Sequence, residues 1–301
     1  MREVLLAYCG LAVLVTVSNK YILLNCIPHG YTCNLFILFM QSWISLVVMN
    51  LCKYAKILTY KPFDKKYLTS WIPIIIFLIL SIYSNGKSVQ LLPISTFNVL
   101  KNIGLLLTIV GDVIFFGRRL NKSTYMAVSI VLLTSIIHQY VKSQEAFYSA
   151  EGVTWTIVNC IACSLYGLYV KYHRTCYQDI TNVEYVYYNN LLTTPVIAVL
   201  SFYFEDSHKH DFTGSCAYVA INNGIAPILL FSSVLTFLIT LVIVNIHMNV
   251  SSTTYAIVAS LNKLPMSFVS MLIFQDDIAT WTNFFFVCLS VIASIFFVKY
   301  A

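Results

Sequence analysis

One lysine lies near the middle of a long apolar segment close to the end of the chain. The segment covers about residues 252–274, and Lys263 is at its centre. A charged side chain inside a membrane span costs at least about 2.5–3.5 kcal/mol on insertion scales, so it usually has a partner or a function. No acidic residue lies at a comparable depth in the sequence. We therefore expect Lys263 to face a water-filled cavity that receives an anion.

The neighbours of Lys263 carry groups that suit a polar ligand. Tyr255, Ala259, Asn262 and Lys263 are spaced so that they share one face of a helix. That face offers an aromatic ring, a small side chain that permits close approach, an amide and a cation. The alternative is a polar stripe that only joins neighbouring helices, which a lysine without an acid does poorly.

Two adjacent asparagines, Asn189 and Asn190, follow Tyr187 and Tyr188 in the apolar segment 185–204. An asparagine amide presents a donor and an acceptor side by side, which suits the edge of a purine base. Hydrogen bonding between helices is the alternative. Two more stripes each occupy one helix face: Tyr8, Ala12, Thr16 and Asn19 in the first apolar segment, and Ser232, Thr236 and Thr240 in a later one.

The composition shows what kind of fold must position these side chains. Apolar residues make up 59% of the chain, charged residues only 10%, and the mean hydropathy is +0.79. A soluble domain carries roughly 25% charged residues, so this chain must place its outer surface in lipid. The apolar runs are continuous and do not alternate with a period of two, which argues against a membrane β-barrel. The nine cysteines as a set have no paired spacing. Cys160 and Cys163 have the spacing of a redox or zinc pair, but they lie within an apolar helix, and we interpret them as packing residues.

The sequence predicts an all-α polytopic membrane protein with ten transmembrane helices in a single membrane domain, 1–301. A membrane-spanning helix needs about 20 apolar residues, and 301 residues accommodate about ten such helices with short loops. The predicted helices are 4–24, 32–52, 71–91, 94–116, 124–142, 152–171, 185–204, 226–247, 252–274 and 281–300.

The basic residues are distributed unevenly between the two sides of the membrane. Cytosolic loops carry an excess of lysine and arginine, so we predict that both termini are cytosolic. The opposite side then carries only Lys142 and Lys209, together with several acidic residues. The predicted cytosolic basic residues are Arg2, Lys53, Lys56, Lys61, Lys65, Lys66, Arg118, Arg119, Lys122, Lys171, Arg174 and Lys299.

The remaining charges lie inside the predicted helices. Lys101 lies deeper in its helix than Lys20, Lys87 or Asp112, which lie near helix ends. Each of these three either extends to water from a helix end or has a function or a partner inside the membrane.

The two halves of the chain show weak similarity to each other. The fourth predicted helix contains Thr96-Phe97-Asn98 and then Lys101-Asn102, and the ninth contains Thr254-Tyr255-Ala256 and then Asn262-Lys263. A five-helix repeat in a chain with both termini on one side must be inverted, and inverted repeats are typical of transporters. We predict a first repeat at about 1–142 and a second at about 152–301.

Several runs resemble those of a known family. Tyr187-Tyr188-Asn189-Asn190 resembles the FYNN motif of GDP-sugar transporters, and residues 259–263 resemble their GALNK motif, preceded by residues 251–255 as in the fungal members. The similarity covers nearly the whole chain in order. The chain is identified as a member of the Golgi nucleotide-sugar transporter family, within the drug/metabolite transporter superfamily. The other similar runs are 7–10, 17–20, 82–84 with 87–88, 101–102 and 115–117.

The resemblance implies an antiporter in the Golgi membrane that exchanges cytosolic GDP-mannose for lumenal GMP by alternating access. It implies that Asn189 and Asn190 recognise guanine, that residues 255–263 surround the diphosphate and sugar, and that Thr240 corresponds to a substrate-binding serine. We also expect lysines to offset the phosphate charge. The predicted substrate-binding residues are Tyr8, Lys101, Tyr188, Asn189, Asn190, Thr240, Tyr255, Ala259, Ser260, Asn262 and Lys263.

The second motif departs from the family pattern, because Ala259 and Ser260 stand where glycine and alanine are usual. Each change adds bulk close to the ligand, so a carrier of GDP-fucose, a UDP-sugar or a phosphorylated metabolite is a first alternative. A membrane-embedded transferase is a second, in which paired acids such as Asp276-Asp277 would bind metal. We predict a carrier with no catalytic residue, no metal and no cofactor, whose partners are GDP-mannose, GMP and membrane lipids and not nucleic acid. A homodimer is left open.

Overall fold

The computed structural model describes residues 2–26, 33–117, 149–206 and 224–249, together with ten single residues in the remaining segments. This part of the chain is helical and contains no strand. The helices are α1 (Arg2–Tyr21), α2 (Asn34–Tyr54), α3 (Leu68–Leu91), α4 (Ile94–Leu100), α5 (Asn102–Phe116), α6 (Ala150–Cys176), α7 (Asn182–Ser201) and α8 (Ala226–Asn249).

Six candidate membrane spans occur among these described residues, which confirms the prediction of an all-helical, multi-pass membrane protein. Their outer faces carry large exposed apolar side chains such as Trp43, Ile114 and Phe231, as expected for surfaces that contact lipid. Helix α7 forms where the sequence predicts it but is not among the six, because its first half carries three tyrosines and three asparagines. The predicted helices 124–142, 252–274 and 281–300 lie outside the continuously described ranges.

Helix ends follow local sequence signals. Thr181 and Glu184 form a reciprocal capping box at the start of α7, in which each side chain accepts a hydrogen bond from the other residue's backbone N–H. The Ser149 hydroxyl accepts from the Gly152 N–H at the start of α6. Gly117 ends α5 in the left-handed conformation, with φ +64°, which glycine adopts without steric cost.

The structure differs from the predicted helices in two ways. The predicted helix 94–116 is divided at Lys101 into α4 and α5, where the Gly104 N–H bonds the Lys101 carbonyl three residues back. This tighter turn keeps the chain direction. In addition, α1 and α7 each continue into a wider π-helical turn, Ile22–Cys26 after α1 and Phe202–Asp206 after α7.

The helices pack around a central antiparallel pair, α2 and α7. Helix α8 contacts α1, α2 and α7, whereas α6 packs against α3 and α5. Gly86 of α3 lies directly against the Asn34 amide of α2, so a Cβ at this position would displace that amide. On the α5–α6 contact, Gly104 lies against the Cys160 backbone. The result places the start of α7 between α2, α3, α6 and α8.

Candidate functional site

The first asparagine of the pair on α7 is buried and bonded to two other helices. Asn189 is only 5% exposed. Its Oδ1 accepts a hydrogen bond from the Trp71 indole Nε1–H of α3 at 2.9 Å, and its Nδ2 donates to the Tyr166 hydroxyl of α6 at 3.2 Å. The second asparagine, Asn190, is half-buried, and its Nδ2 donates to the Val186 carbonyl one turn earlier at 3.0 Å.

An aromatic cluster surrounds the asparagine-bearing turn of α7. The Trp71 ring has no exposed surface and lies 4.7 Å from the Tyr185 ring and 5.3 Å from the Tyr188 ring, between centroids. His173 packs edge-on against Trp71, is hydrogen-bonded to the Tyr185 hydroxyl and lies 3.1 Å from the Ser70 hydroxyl. These rings enclose Tyr188, a predicted site residue, which is 3% exposed.

The loop between α2 and α3 is fastened to the start of α7. The Lys61 N–H donates to Glu184 Oε1 at 3.1 Å, and the Tyr188 hydroxyl donates to the Pro62 carbonyl at 3.2 Å. Nearby, the Tyr60 and Tyr187 rings lie 4.5 Å apart. The start of α7 is therefore stabilised both by its own capping box and by contacts with this loop.

The predicted site residues Tyr8 and Thr240 lie on the contact between α1 and α8. Tyr8 and Ala12 are buried against the turn of α8 formed by Ile239, Val242 and Ile243, the turn that carries Thr240. The Thr240 hydroxyl donates to the Thr236 carbonyl of its own helix at 2.7 Å. The structure thus brings into contact the two helices, α1 and α8, that carry the polar stripes.

One residue from each stripe, Asn19 and Ser232, forms a hydrogen-bonded group with Gln41 that joins three helices. Asn19 Oδ1 of α1 accepts from Gln41 Nε2 of α2 at 2.8 Å and from the Ser232 hydroxyl of α8 at 2.6 Å. Gln41 also donates to Ser232 at 2.9 Å. Here the helix-joining alternative applies, because these polar groups are bonded to one another.

Lys101 lies at the junction of α4 and α5 with its side chain half-buried. Its Nζ donates to Asn85 Oδ1 of α3 at 3.1 Å and lies 4.8 Å from the centre of the Phe97 ring. The other predicted residues, Tyr255, Ala259, Ser260, Asn262 and Lys263, lie outside the described residues.

The other intramembrane charges are more enclosed than helix-end positions suggest. Asp112 is 4% exposed and accepts from Lys171 Nζ of α6 at 2.7 Å, so it is an ion-paired acid and does not extend to water. Lys20 is only 2% exposed, so its side chain does not extend to the protein surface. Lys87 remains partly exposed, with its Nζ 5.9 Å from the centre of the Tyr83 ring.

Two further features were missed by sequence analysis. Glu205 appears in the sequence as one more acid after a helix, yet it is buried and accepts hydrogen bonds from the Leu35 and Phe36 N–H groups, at 2.7 and 2.8 Å. These are two of the unpaired donors at the start of α2. Cys33, immediately before α2, is disulfide-bonded, which the spacing of the cysteines did not indicate.

The sequence is similar along most of its length to fungal proteins. A GDP-mannose transporter of Aspergillus fumigatus is 32% identical over 295 residues, which cover 92% of this chain and 74% of that protein. GDP-mannose transporter 1 of Neosartorya fischeri is 32% identical over 289 residues, and the GDP-mannose transporter of Aspergillus niger is 30% identical over 298, each with the same coverage. No family model matches the chain.

A solved crystal structure of another protein shares the fold. It superposes with a TM-score of 0.53, covering 99% of this chain and 94% of that one, at 15% sequence identity.

Proposed function

Because this chain belongs to the GDP-mannose transporter family, we propose that it imports cytosolic GDP-mannose into the Golgi lumen in exchange for GMP. The chain is a multi-pass membrane protein that transports a nucleotide-sugar, and it is not an enzyme. The observation that carries the proposal is the 32% identity to a GDP-mannose transporter over 92% of the chain.

The proposed substrate site has a base end and a phosphate end. At the base end, the tandem asparagines of α7 lie at the guanine, with Tyr188 beside them. At the phosphate end, Lys101 and Lys263 offset the charge of the diphosphate. Support comes from the packing of α8 against both α1 and α7, which brings the helices that carry Tyr8, Thr240 and the asparagines into one assembly. The remaining proposed site residues, around the diphosphate and sugar, are Tyr255, Ala259, Ser260 and Asn262.

The proposed mechanism is alternating access between inverted repeats, 1–142 and 152–301, with ten transmembrane helices in total. The packing of the described helices supports this arrangement. In the two proposed repeats, α1 corresponds to α6, α2 to α7 and α3 to α8. The α1–α8 contact then corresponds to the α3–α6 contact, and the α2–α7 pair corresponds to itself. All of these pairs are in contact, as expected for two repeats related by a two-fold axis.

In the proposed orientation both termini are cytosolic, and the start of α2 faces the lumen. The uneven distribution of lysine and arginine is the main support. The Cys33 disulfide is a second, because disulfides persist in oxidising compartments and are rare in the cytosol.

Counterflow in proteoliposomes tests the function. Vesicles preloaded with GMP should accumulate labelled GDP-mannose, whereas empty vesicles should not, and UDP- and CMP-sugars should compete weakly. GDP-fucose tests the sugar specificity that Ala259 and Ser260 leave open. Recovery of intact label distinguishes transport from group transfer. Equal uptake into empty vesicles would exclude the exchange mechanism, and faster uptake of a UDP-sugar would exclude the proposed substrate.

Lys263→Met tests the phosphate end of the site. We expect this variant to lose exchange and much of the thermal stabilisation that GMP gives the wild type through binding. Its baseline stability should be retained, because the insertion penalty of the charge disappears. Lys263→Arg should recover little, since a planar guanidinium does not replace a compact ammonium. Lys65→Met, in a predicted cytosolic loop, is the matched control. Unfolding of Lys263→Met with continued protection by GMP would show that the lysine is structural.

A further inference from the structure

A stripe of exposed apolar side chains runs along α2 to its last turn. Its members are Trp43, Val47, Leu51 and Tyr54. They are spaced four, four and three residues apart, so they share one face of the helix. Because exposed apolar side chains of a membrane-spanning helix face hydrocarbon, this stripe is the lipid-facing side of α2. Tyrosine is common where such a side reaches the membrane surface, which places Tyr54 at that level.

The chain stays at the membrane surface just beyond α2. Tyr54 is 87% exposed and Ile57, three residues later, is 73% exposed. Each of them directly follows an exposed lysine, Lys53 and Lys56 respectively. A lysine beside an apolar side chain that enters the bilayer keeps its ammonium at the level of the lipid headgroups. The end of α2 therefore presents two cations where lipid phosphates lie.

Lys56 has a backbone conformation that a lysine does not favour. Its φ is +58°, and it is the one non-glycine residue with a positive φ in the described part of the chain. The Ile57 N–H bonds the Cys52 carbonyl at 2.9 Å, so Lys56 occupies the left-handed position that closes a helix, where glycine is usual. A lysine here costs backbone energy that glycine would avoid. An unfavourable conformation of this kind is a reason to assign a function to the side chain.

The protein supplies no anion to either lysine. Lys53 Nζ lies 4.4 Å from the centre of the Tyr60 ring, and the Tyr60 hydroxyl donates to Asn50 Oδ1 at 3.1 Å, which fixes that ring. Neither Lys53 nor Lys56 forms an ion pair with an acid that the structure describes. The two ammonium groups are thus positioned but not neutralised.

We propose that the end of α2 binds the headgroup of an anionic phospholipid, with Lys53 and Lys56 at its phosphate and Tyr54 and Ile57 against its acyl chains. The ligand is a lipid and not a soluble phosphate, because both lysines adjoin side chains that enter the bilayer. In the proposed orientation this end of α2 lies at the cytosolic leaflet, which carries anionic lipids. The site goes beyond nucleotide-sugar exchange and anchors one helix of the central pair at the membrane surface.

Native mass spectrometry of the purified protein tests the site. The protein is stripped of lipid in detergent and mixed with equal amounts of phosphatidylserine and phosphatidylcholine that have the same acyl chains. One lysine near an anionic lipid contributes about fivefold in binding. We therefore expect the wild type to prefer phosphatidylserine by roughly 25-fold, Lys56→Gly by about fivefold, and the double variant Lys53→Gln with Lys56→Gly not at all. Lys56→Arg keeps the charge and should keep the preference.

Lys65→Gln is the matched control, because it removes a lysine from the same loop at a distance from the lipid-facing stripe. Beyond Ile57 the loop turns toward α7, where the Tyr60 ring packs on Tyr187 and the Phe63 ring on Tyr188. The lipid preference of Lys65→Gln should equal that of the wild type. An equal loss in Lys65→Gln would indicate a diffuse basic surface and not a site at the end of α2. Equal retention of both lipids by the wild type would also overturn the proposal.

Thermal unfolding separates lipid binding from stabilisation of the helix itself. A lysine near a helix C-terminus stabilises the helix through its charge, and this effect is present in any lipid. Lys56→Gly should keep the wild-type melting temperature in phosphatidylcholine, since glycine accepts the left-handed conformation. It should lose the additional stabilisation that phosphatidylserine gives the wild type by binding. An equal decrease in both lipids would show that Lys56 acts only on the helix.

Counterflow in phosphatidylcholine vesicles tests whether the two lysines instead collect the anionic nucleotide-sugar. The half-saturating GDP-mannose concentration of Lys56→Gly should equal that of the wild type. A several-fold increase, combined with an unchanged preference for phosphatidylserine, would assign the lysines to substrate capture and overturn the lipid site. Lipid retention is measured without transport, so failure of the proposed exchange function would leave this result unaffected.

Discussion

The two ends of the α2–α7 pair are fastened by carboxylates in different ways. At one end, Glu205 accepts from the Leu35 and Phe36 N–H groups of α2, across sequence separations of 170 and 169 residues. At the other, Glu184 accepts from the Thr181 N–H, within its own capping box, and from the Lys61 N–H. Glu205 therefore stabilises the contact between two helices, whereas Glu184 mainly stabilises the start of its own helix.

The surroundings of the two ends also differ. The Glu184 end has several further contacts, including the Tyr60–Tyr187 ring contact and the Tyr188–Pro62 hydrogen bond. At the Glu205 end, the side-chain contacts of the carboxylate are concentrated on the first turn of α2. Loss of one residue should therefore matter more at the Glu205 end, and the predictions below test this difference in order of expected effect.

Glu205→Ala should have the largest effect. It leaves two backbone N–H groups without their charged acceptor, which costs about 3 kcal/mol of unfolding free energy. Glu205→Gln keeps an acceptor oxygen and should lose about half of that. Thermal unfolding in detergent measures both, with the exposed-carboxylate variant Glu151→Ala as control. Melting temperatures equal to that of the wild type in both variants would show that Glu205 does not stabilise this end.

Removal of the Cys33 disulfide should have the next largest effect, about 2 kcal/mol. A reducing agent should lower the melting temperature of the wild type but not that of Cys33→Ser. Cys176→Ser serves as the control, because Cys176 is a free, exposed cysteine. Alkylation of the unfolded chain before and after reduction, followed by mass spectrometry, identifies the bonded pair. Complete alkylation without reduction would show that no disulfide forms.

Glu184→Ala should cost about 1 kcal/mol, the usual worth of a helix N-terminal cap. Thr181→Ala should cost a similar amount, and the double variant should cost little more than either alone, because the two side chains form one capping box. Unfolding free energies of the three variants test this. A loss at Glu184 that equals the loss at Glu205 would remove the proposed difference between the ends.

The smallest effect concerns Asp179, in the loop that precedes α7. The hydrogen bond from the Tyr67 hydroxyl, at 2.6 Å, holds the pKa of the Asp179 carboxyl below its usual range. A lowered folded-state pKa adds stability above the unfolded pKa of about 4, and this stability is lost as the pH falls through the folded value. The melting temperature of Asp179→Asn should thus lie slightly below wild type at pH 6, and this gap should close as the pH falls through the folded pKa. A gap that persists at low pH would assign the effect to another cause.

The positions of the helices could be predicted from the sequence, because long apolar runs without charges have few alternatives in a membrane protein. The predicted segments 32–52, 152–171 and 226–247 all form helices in the structure. Extension of α6 to Cys176 was not predicted, since Lys171 and Arg174 suggest a loop although they lie on a helix.

Partners distant in sequence could not be predicted. Trp71 and Asn189 are 118 residues apart, and nothing local to either indicates that they form a hydrogen bond. The sequence indicates only that Asp112 lies near a helix end. Its ion pair with Lys171 could not be predicted, because the two residues lie on different helices. Periodicity shows which face of a helix is polar, but the neighbouring helix that this face meets depends on tertiary packing.

The wide turn Phe202–Asp206 sets the angular position of Glu205. A π-helical turn bonds residue i to i+5, one residue more than an α-helical turn, and each α-helical residue corresponds to about 100° of rotation. If the same residues adopted α-helical bonding, the Glu205 side chain would be rotated by about 100° about the helix axis. The carboxylate would then leave the first turn of α2 although the chain still contained it. The fastening of α2 to α7 thus depends on the count of residues in one turn as much as on the glutamate itself.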